Sequence, residues 1–315
     1  MAKIDKKDQK ILEILENNSR IPITRLAKKT HSSPQATHYR VNKLISEKII
    51  LDFPTVIDYA YFGLTEVKVY FKILYTSSKI VNQILSYFKD HEFVSEVIEC
   101  GGNWDIVITY LVENLSQFNK IFHGDIEKFQ KHLDPDLILF SIVHHFLPKN
   151  VVIGGDRKPI KFKKKTKKLL YLFALNNRIT IVDLVKQLKM DSKTVIKRMN
   201  NLKKENIIRI FTVNIDKSLL NKTIYKILIR YSNISTKKEK EFFNFIKRQK
   251  GIKLFTKLIG KFNVELEIET EKNIELRKLI FEIREKFSSI IQDINEIPIY
   301  HLHKRSYLPK KILKD

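Results

Sequence analysis

Arg40-Val41-Asn42-Lys43-Leu44, followed by Glu47-Lys48-Ile49-Ile50, returns with the same spacing as Arg198-Met199-Asn200-Asn201-Leu202 and Glu205-Asn206-Ile207-Ile208, an offset of 158 residues. Outward from that stretch, the same offset lays Arg20-Ile21-Pro22-Ile23 on Arg178-Ile179-Thr180-Ile181 and Leu26 on Leu184. It also lays Gly102-Asn103-Trp104-Asp105 on Gly260-Lys261-Phe262-Asn263. Gly63 falls on Asn221, and both residue types tolerate positive φ. One offset held without a gap from residue 20 to residue 105 marks a tandem duplication. Towards the ends of the copies it drifts to 161, where Leu147-Pro148-Lys149 meets Leu308-Pro309-Lys310.

Each copy has two parts. The first reads as three short helices. Ile11, Leu12, Ile14 and Leu15 recur at helical spacing, as do Leu169, Leu170, Leu172 and Phe173. A second helix carries Leu26-Ala27 or Leu184-Val185. The third opens at Ser33-Pro34 or Asp191-Ser192, good N-caps, and buries Thr37, Val41, Leu44 and Ile45, or Val195, Met199 and Leu202. A β-rich stretch follows at 49–56 or 207–213, giving a winged helix-turn-helix. The second part reads β-α-β-β-α-β at 67–75, 79–89, 94–100, 104–112, 115–129 and 137–146, and again from 223 to 302. That order is a ferredoxin-like sandwich, so the fold class is α+β. The expected organisation is helix-turn-helix 1–60, sandwich 64–149, linker 150–163, helix-turn-helix 164–215, sandwich 221–308 and a basic tail 309–315.

Composition narrows the function. A single cysteine, Cys100, excludes a disulfide framework, a Cys-based zinc site and an iron-sulfur cluster. The charged start, MAKIDKKDQK, does not read as a signal peptide, and the mostly apolar run Leu137–Val143 is far short of the roughly 20 residues that span a bilayer. A soluble cytoplasmic, nucleoid-associated protein without membrane contact is expected. No nucleophile–base set, paired carboxylates, Walker loop or metal-ligand spacing stands out, so no catalytic residue, metal or cofactor is expected and the chain reads as a non-enzyme.

The net charge of +24, with 47 lysines against 12 arginines, points to a polyanion. Its distribution is uneven. Residues 1–50 carry +6 and 164–210 carry +10, whereas 51–150 carry −5 and 211–315 carry +10. On the third helix, steps of 100° from Val41 put Gln35, Tyr39, Asn42, Ser46 and, at the edge, Lys43 away from the core. The second copy puts Lys193, Lys197, Asn200, Asn201 and Lys204 there. Any solvated helix face is polar, but two such faces in the same winged context favour entry into the major groove of duplex DNA. Arg40 and Arg198 lie at the flank of the buried stripe and are expected to brace the fold. With lysine dominant, phosphate contacts should supply most affinity.

These residues resemble the Lrp/AsnC, or feast/famine, family of transcriptional regulators. The resemblance rests on the aspartate-bearing first helix Ile4-Asp5-Lys6-Lys7-Asp8, then Asn18-Ser19-Arg20, Leu26-Ala27, Ser33-Pro34, Arg40-Val41, Leu44 and Ile49-Ile50. It extends to Gly102-Asn103-Trp104-Asp105, which is similar to the glycine-x-aromatic-aspartate signature of the family's RAM domain. The second copy departs from the pattern: the early aspartates are absent, Asn263 replaces Asp105, and neither copy has the glycine usual before the Ile-Ile pair. The resemblance implies RAM domains paired sheet to sheet, here as a pseudo-dimer within one chain that is open to further homo-oligomerisation. It also implies an amino-acid effector near Gly102 and Asp105. Asp105 reads either as acceptor of an effector's ammonium or as a cap on its own loop. Because the two recognition helices differ, the expected DNA site is an imperfect palindrome.

Two rival readings remain. The sirohaem decarboxylases use the same paired fold; such chemistry would need basic residues for the tetrapyrrole carboxylates and histidines near the metal or reacting acid, for which His144, His145, His301 and His303 are the candidates. An architectural protein that coats DNA without ligand control would also suit the lysine excess.

Overall fold

The computed structural model describes residues 4–147, 149–232 and 234–314. The outer ends of the expected first and last segments, and Pro148 of the Leu-Pro-Lys match, fall outside them. The chain divides into two compact units, one holding both helix-turn-helix copies and the other both sandwiches.

In the first unit the first copy supplies α1 (Lys6–Asn17), α2 (Ile23–Lys29), α3 (Pro34–Ser46), β1 (Ile50–Asp52) and β2 (Thr55–Ile57). Asp5 and Asp8 close a capping box at the start of α1. Later in the chain, the second copy supplies α6 (Lys164–Leu175), α7 (Ile181–Leu188), α8 (Ser192–Lys204), β8 (Ile208–Phe211) and β9 (Asn214–Ile215). The remaining strands and helices, β3–β7, α4–α5, β10–β13 and α9–α10, belong to the second unit and are given below.

The wings do not close on themselves. A hairpin within each copy is the natural expectation for two neighbouring strands, but β1 pairs with β9 and β2 with β8, so each copy's first strand runs antiparallel to the other copy's second. The registers are reciprocal: Ile50 faces Ile215 and Ile208 faces Ile57, which is one pair repeated at the offset of 158. Consequently Val213 and Ile215 sit in the core of the first copy with Ile11, Leu15, Leu26, Val41 and Leu44. Between the copies lies a buried polar joint. Ser19 and Asn177, equivalent positions, are both fully buried, and the Ser19 hydroxyl donates to Asn177 Oδ1 at 2.7 Å. The Asn177 amide donates to the carbonyls of Pro54 (2.7 Å) and Thr212 (2.9 Å), again an equivalent pair. Arg20 donates to the Asn177 and Ile179 carbonyls and lies over Phe173 and Phe211, while Arg178 donates to the Ser19 carbonyl and lies over Phe53. Burial lowers the pKa of both guanidinium groups, yet each is held by carbonyls and a ring face.

Lys48 (φ 57°) and Asn206 (φ 59°) take the left-handed conformation just before the Ile-Ile pairs, where glycine would be unstrained. Gly63 and Asn221 also have positive φ, as their alignment predicts.

The second unit contains β3 (Thr65–Ile73), α4 (Ser78–Asp90), β4 (Val94–Cys100), β5 (Ile106–Val112), α5 (Leu115–Phe129) and β6 (Leu133–Phe146). The second copy adds β10 (Thr223–Tyr231), α9 (Thr236–Lys247), β11 (Ile252–Ile259), β12 (Val264–Thr270), α10 (Asn273–Lys286) and β13 (Ile291–Arg305). The start of the segment read as a linker forms a strand, β7 (Val151–Gly154), which pairs with the end of β6. The strand order is β11-β12-β10-β13-β4-β5-β3-β6-β7, with β11 also bonded to β6. The two sandwiches therefore close into one ring through β13–β4 and β6–β11, which leaves neither sheet with a free edge at those strands. One face of each sheet carries its own helices over an apolar core, with Val67, Val69 and Phe71 under α4 and α5, and Ile227, Ile229 and Leu266 under α9 and α10.

The opposite faces meet inside the ring, where the core is partly ionic. Strand β12 reads Val264-Glu265-Leu266-Glu267-Ile268-Glu269, and strand alternation sends the glutamates to the face away from α9 and α10. Lys68 and Lys226, equivalent positions, are 2% and 1% exposed and both reach the same carboxylate oxygen of Glu265, at 2.6 and 2.9 Å. The Tyr70 hydroxyl donates to the other oxygen. Burial alone would push the Glu265 carboxyl up, but Lys226 and Lys68 outweigh it and hold the group below its usual range. Val107 is the equivalent of Glu265, so this one carboxylate is shared by both lysines, while Glu66 lies 3.8 Å from Lys68 and Glu96 3.6 Å from Lys226. Breaking such a triad by removing its anion costs about 3–5 kcal/mol, whereas replacing all members with apolar groups of similar volume is often neutral. Glu265→Leu should accordingly lower the thermal midpoint steeply, and Lys68→Met/Glu265→Leu/Lys226→Met should recover only part of it, because Glu66 and Glu96 then each lose a cation. A single variant as stable as the parent would contradict the shared-carboxylate account.

Candidate nucleic-acid interface

Local chemistry sets one face of α3 and α8 outward. Ser33 accepts the Ala36 N–H at the start of α3, with Pro34 as its first residue, and Asp191 accepts the Thr194 N–H (2.8 Å) at the start of α8. The turn before each helix places a residue in the left-handed region, His31 (φ 50°) and Lys189 (φ 49°). A lysine of each copy's first helix covers the carbonyl exposed there: Lys7 Nζ donates to His31 O at 3.4 Å and Lys165 Nζ to Lys189 O at 2.8 Å. Inward, Thr37, Val41 and Leu44 are buried on α3, and Val195 and Leu202 on α8. Ile45, expected in that stripe, is 41% exposed because it lies a further 100° beyond Leu44; Met199 is half-buried.

Gln35, Tyr39, Asn42 and Lys43 are all exposed on α3, as are Lys193, Lys197, Asn200 and Lys204 on α8. Tyr39 stands 69% exposed. Two further outward residues were not picked out from the sequence. His38 lies beside Asn42, with His38 Nδ1 3.3 Å from the Asn42 amide nitrogen, and its equivalent, Ile196, is 40% exposed. Both occupy the turn between positions already singled out, so the 100° step contained the signal.

The flanking arginines differ between copies. Arg40 donates to Asp5 Oδ2 (2.7 Å) and Asp8 Oδ1 (2.8 Å), bracing α3 against the start of α1. The Asp8 N–H, followed by Arg40, holds the Asp5 carboxyl below its usual range. In the second copy Lys163 and Thr166 stand where Asp5 and Asp8 would be, and Arg198 donates instead to Met190 Sδ at 3.6 Å.

In the second unit, Gly102 has φ 86°, and a Cβ on it would come within 3.2 Å of the Glu296 carbonyl; its equivalent, Gly260, lies as close to Ile138 and Leu139. Both glycines thus let a loop approach a strand of the other copy. Asp105 Oδ2 accepts the Ile73 N–H at 2.7 Å. Asn263 Oδ1 makes the same bond to the Tyr231 N–H, also at 2.7 Å, without a charge. The Trp104 ring is buried beside Tyr70 and its N–H donates to Asp136. Cys100 is buried, and burial pushes its thiol up to about 12.

The histidines do not converge. His144 is buried inside the ring, 3.1 Å from Glu66 and 2.8 Å from Thr256, and burial, which would raise the Glu66 carboxyl, is outweighed by His144 and Lys68, which bring it down to about 2. His145 points the other way, against Phe243 and Phe255. His301 and His303 share a face of β13, with His303 3.0 Å from Glu99. Among the described residues, no group of three or more His, Cys, Asp or Glu could hold a metal ion, and no helix is long and apolar enough to cross a membrane.

Two linked copies, each a helix-turn-helix with an outward polar helix and a βαββαβ sandwich, define the class as a tandem helix-turn-helix and RAM-type protein. Comparison with known proteins agrees. Residues 4–45 match the AsnC-type helix-turn-helix domain, and residues 162–209 match a winged helix-turn-helix DNA-binding domain. The HTH-type transcriptional regulator LysM of Sulfurisphaera tokodaii is 32% identical over 130 residues, covering 41% of this chain and 89% of that protein. The regulatory protein AsnC of Haemophilus influenzae is 27% identical over 127 residues, covering 40% and 84%. Among solved structures, the sirohaem decarboxylase NirDL matches 98% of this chain and 96% of its own with a TM-score of 0.62 at 14% identity, a likeness of fold. The chain belongs to the Lrp/AsnC family of transcriptional regulators.

The equivalence of Asp105 and Asn263 has a direct test. Asp105→Asn should leave the free energy of unfolding within about 0.5 kcal/mol of the parent, since the acceptor oxygen is kept. A loss of several degrees would mean that the charge itself holds the loop.

Proposed function

We propose that the chain regulates transcription by binding duplex DNA through the outer faces of α3 and α8, with Gln35, Tyr39, Asn42 and Lys43 of the first copy and Lys193, Lys197, Asn200 and Lys204 of the second as the contacting side chains. The observation that carries this reading is that all eight are exposed on equivalent helices, each capped at its start. Amide and phenol groups suit base edges in the major groove, and lysines suit phosphates. Lys193→Glu/Lys197→Glu/Lys204→Glu is expected to weaken binding to duplex DNA by more than about 100-fold, through three lost and three repelled phosphate contacts, with an unchanged circular dichroism spectrum. Unchanged affinity would put the interface elsewhere.

Control by an amino-acid effector at Gly102 and Asp105 is the second element of the reading. Its support is the family resemblance of that loop. The bond Asp105 makes reaches the Ile73 N–H at the end of β3, outside its own loop, and the uncharged Asn263 makes the equivalent bond to the Tyr231 N–H at the end of β10.

The rival with a specific observation behind it is sirohaem chemistry, because a sirohaem decarboxylase, also solved with an iron-uroporphyrin III analogue, matches the chain along nearly its whole length. Against it stand the divergent histidines: one enclosed with Glu66, one turned to the helix layer, two on β13. Titration with sirohaem should leave the Soret band unshifted; a saturable shift would favour the enzyme.

A further inference from the structure

The duplication makes each helix-turn-helix the control for the other: Gln35, Tyr39 and Ser46 of the first copy are lysines in the second, while Asn42 is kept as Asn200 and Lys43 is Asn201. On α3 the outward groups are Gln35, His38, Tyr39 and Asn42, all able to donate or accept in a directed way, with Asn42 set beside His38. Its edge lysine, Lys43, has Glu47 within 3.8 Å. Behind it, Arg40 is neutralised by Asp5 and Asp8. At the equivalent positions α8 has Lys193, Ile196, Lys197 and Asn200, with Lys204 a turn further on, and the acid pair behind it is gone. Its first helix opens on Lys163 and Lys164, both exposed, in place of the capping aspartate, so the second copy has given up a stabilising cap and gained cations.

We infer that the two helix-turn-helix copies divide recognition: the first reads base edges, and the second anchors the phosphate backbone with little sequence preference. This rests on the DNA-binding reading above. A side-chain amide can pair in bidentate fashion with adenine N6 and N7, a contact that discriminates between bases by roughly 5- to 150-fold, whereas an ammonium is a point charge that any phosphate satisfies. The operator would then carry its information in one half.

The full-length protein tests this in a salt series combined with selection from randomised duplexes. Gln35→Ala/Asn42→Ala should flatten the sequence preference of one half-site and leave the slope of log affinity against log salt unchanged. Lys193→Ala/Lys197→Ala/Lys204→Ala should make that slope shallower by about 2.7 and weaken all sequences alike, with the selected motif retained. All five side chains are exposed, so unchanged thermal midpoints serve as the folding control. The division is overturned if the lysine variant alters the motif, if the Gln35 and Asn42 variant changes the slope, or if the parent selects two equally strong half-sites. Failure of the parent to bind any duplex overturns the DNA reading itself, a result distinct from these.

Discussion

Neither copy can satisfy its own backbone. The short wing strands pair only with the wing strands of the other copy, and buried strand N–H and C=O groups left unpaired would each cost on the order of 1–3 kcal/mol. Ser19 and Asn177 complete the same joint with side chains, one amide serving the Pro54 and Thr212 carbonyls together. In the second unit the ring closes only because β13 and β11 of one copy bond to β4 and β6 of the other. Pairing of two copies is thus a structural requirement, and a single helix-turn-helix of this chain would expose both a strand edge and the Arg20 or Arg178 socket.

Once pairing is compulsory, the copies are free to differ. Inside the ring, Glu265 replaces what is Val107 in the other copy and draws in both Lys68 and Lys226, while Tyr70 donates a hydroxyl to it that the equivalent Leu228, its cross-strand neighbour, lacks. A strictly symmetric pair would need two such carboxylates or none. On the helix-turn-helix side the same freedom shows as a capped, acid-braced first copy and a cation-rich second one.

Much of this could be read from residue order. The constant offset exposed the duplication, Ser33-Pro34 and Asp191 marked the helix starts, and the 100° steps found ten exposed side chains. The exchanged wings could not be read, because alternation along Ile49–Val56 says that a strand pairs but not with which partner. Glu265 was missed for a related reason: glutamates alternating with Val264, Leu266 and Ile268 look like a solvent face until the ring is known to close over them. Asn263 in register with Asp105 was a legible hint that an acceptor oxygen is used at this position in both copies.

On the proposed reading, two outward helices on a compulsory pair mark particular places on DNA and do not coat it. The lysine excess alone would permit the coat. Footprinting on fragments of the source genome separates the two most directly. The account predicts discrete protected sites, each a pair of adjoining and unequal segments. Uniform protection along every fragment, or none at any protein concentration, would contradict it.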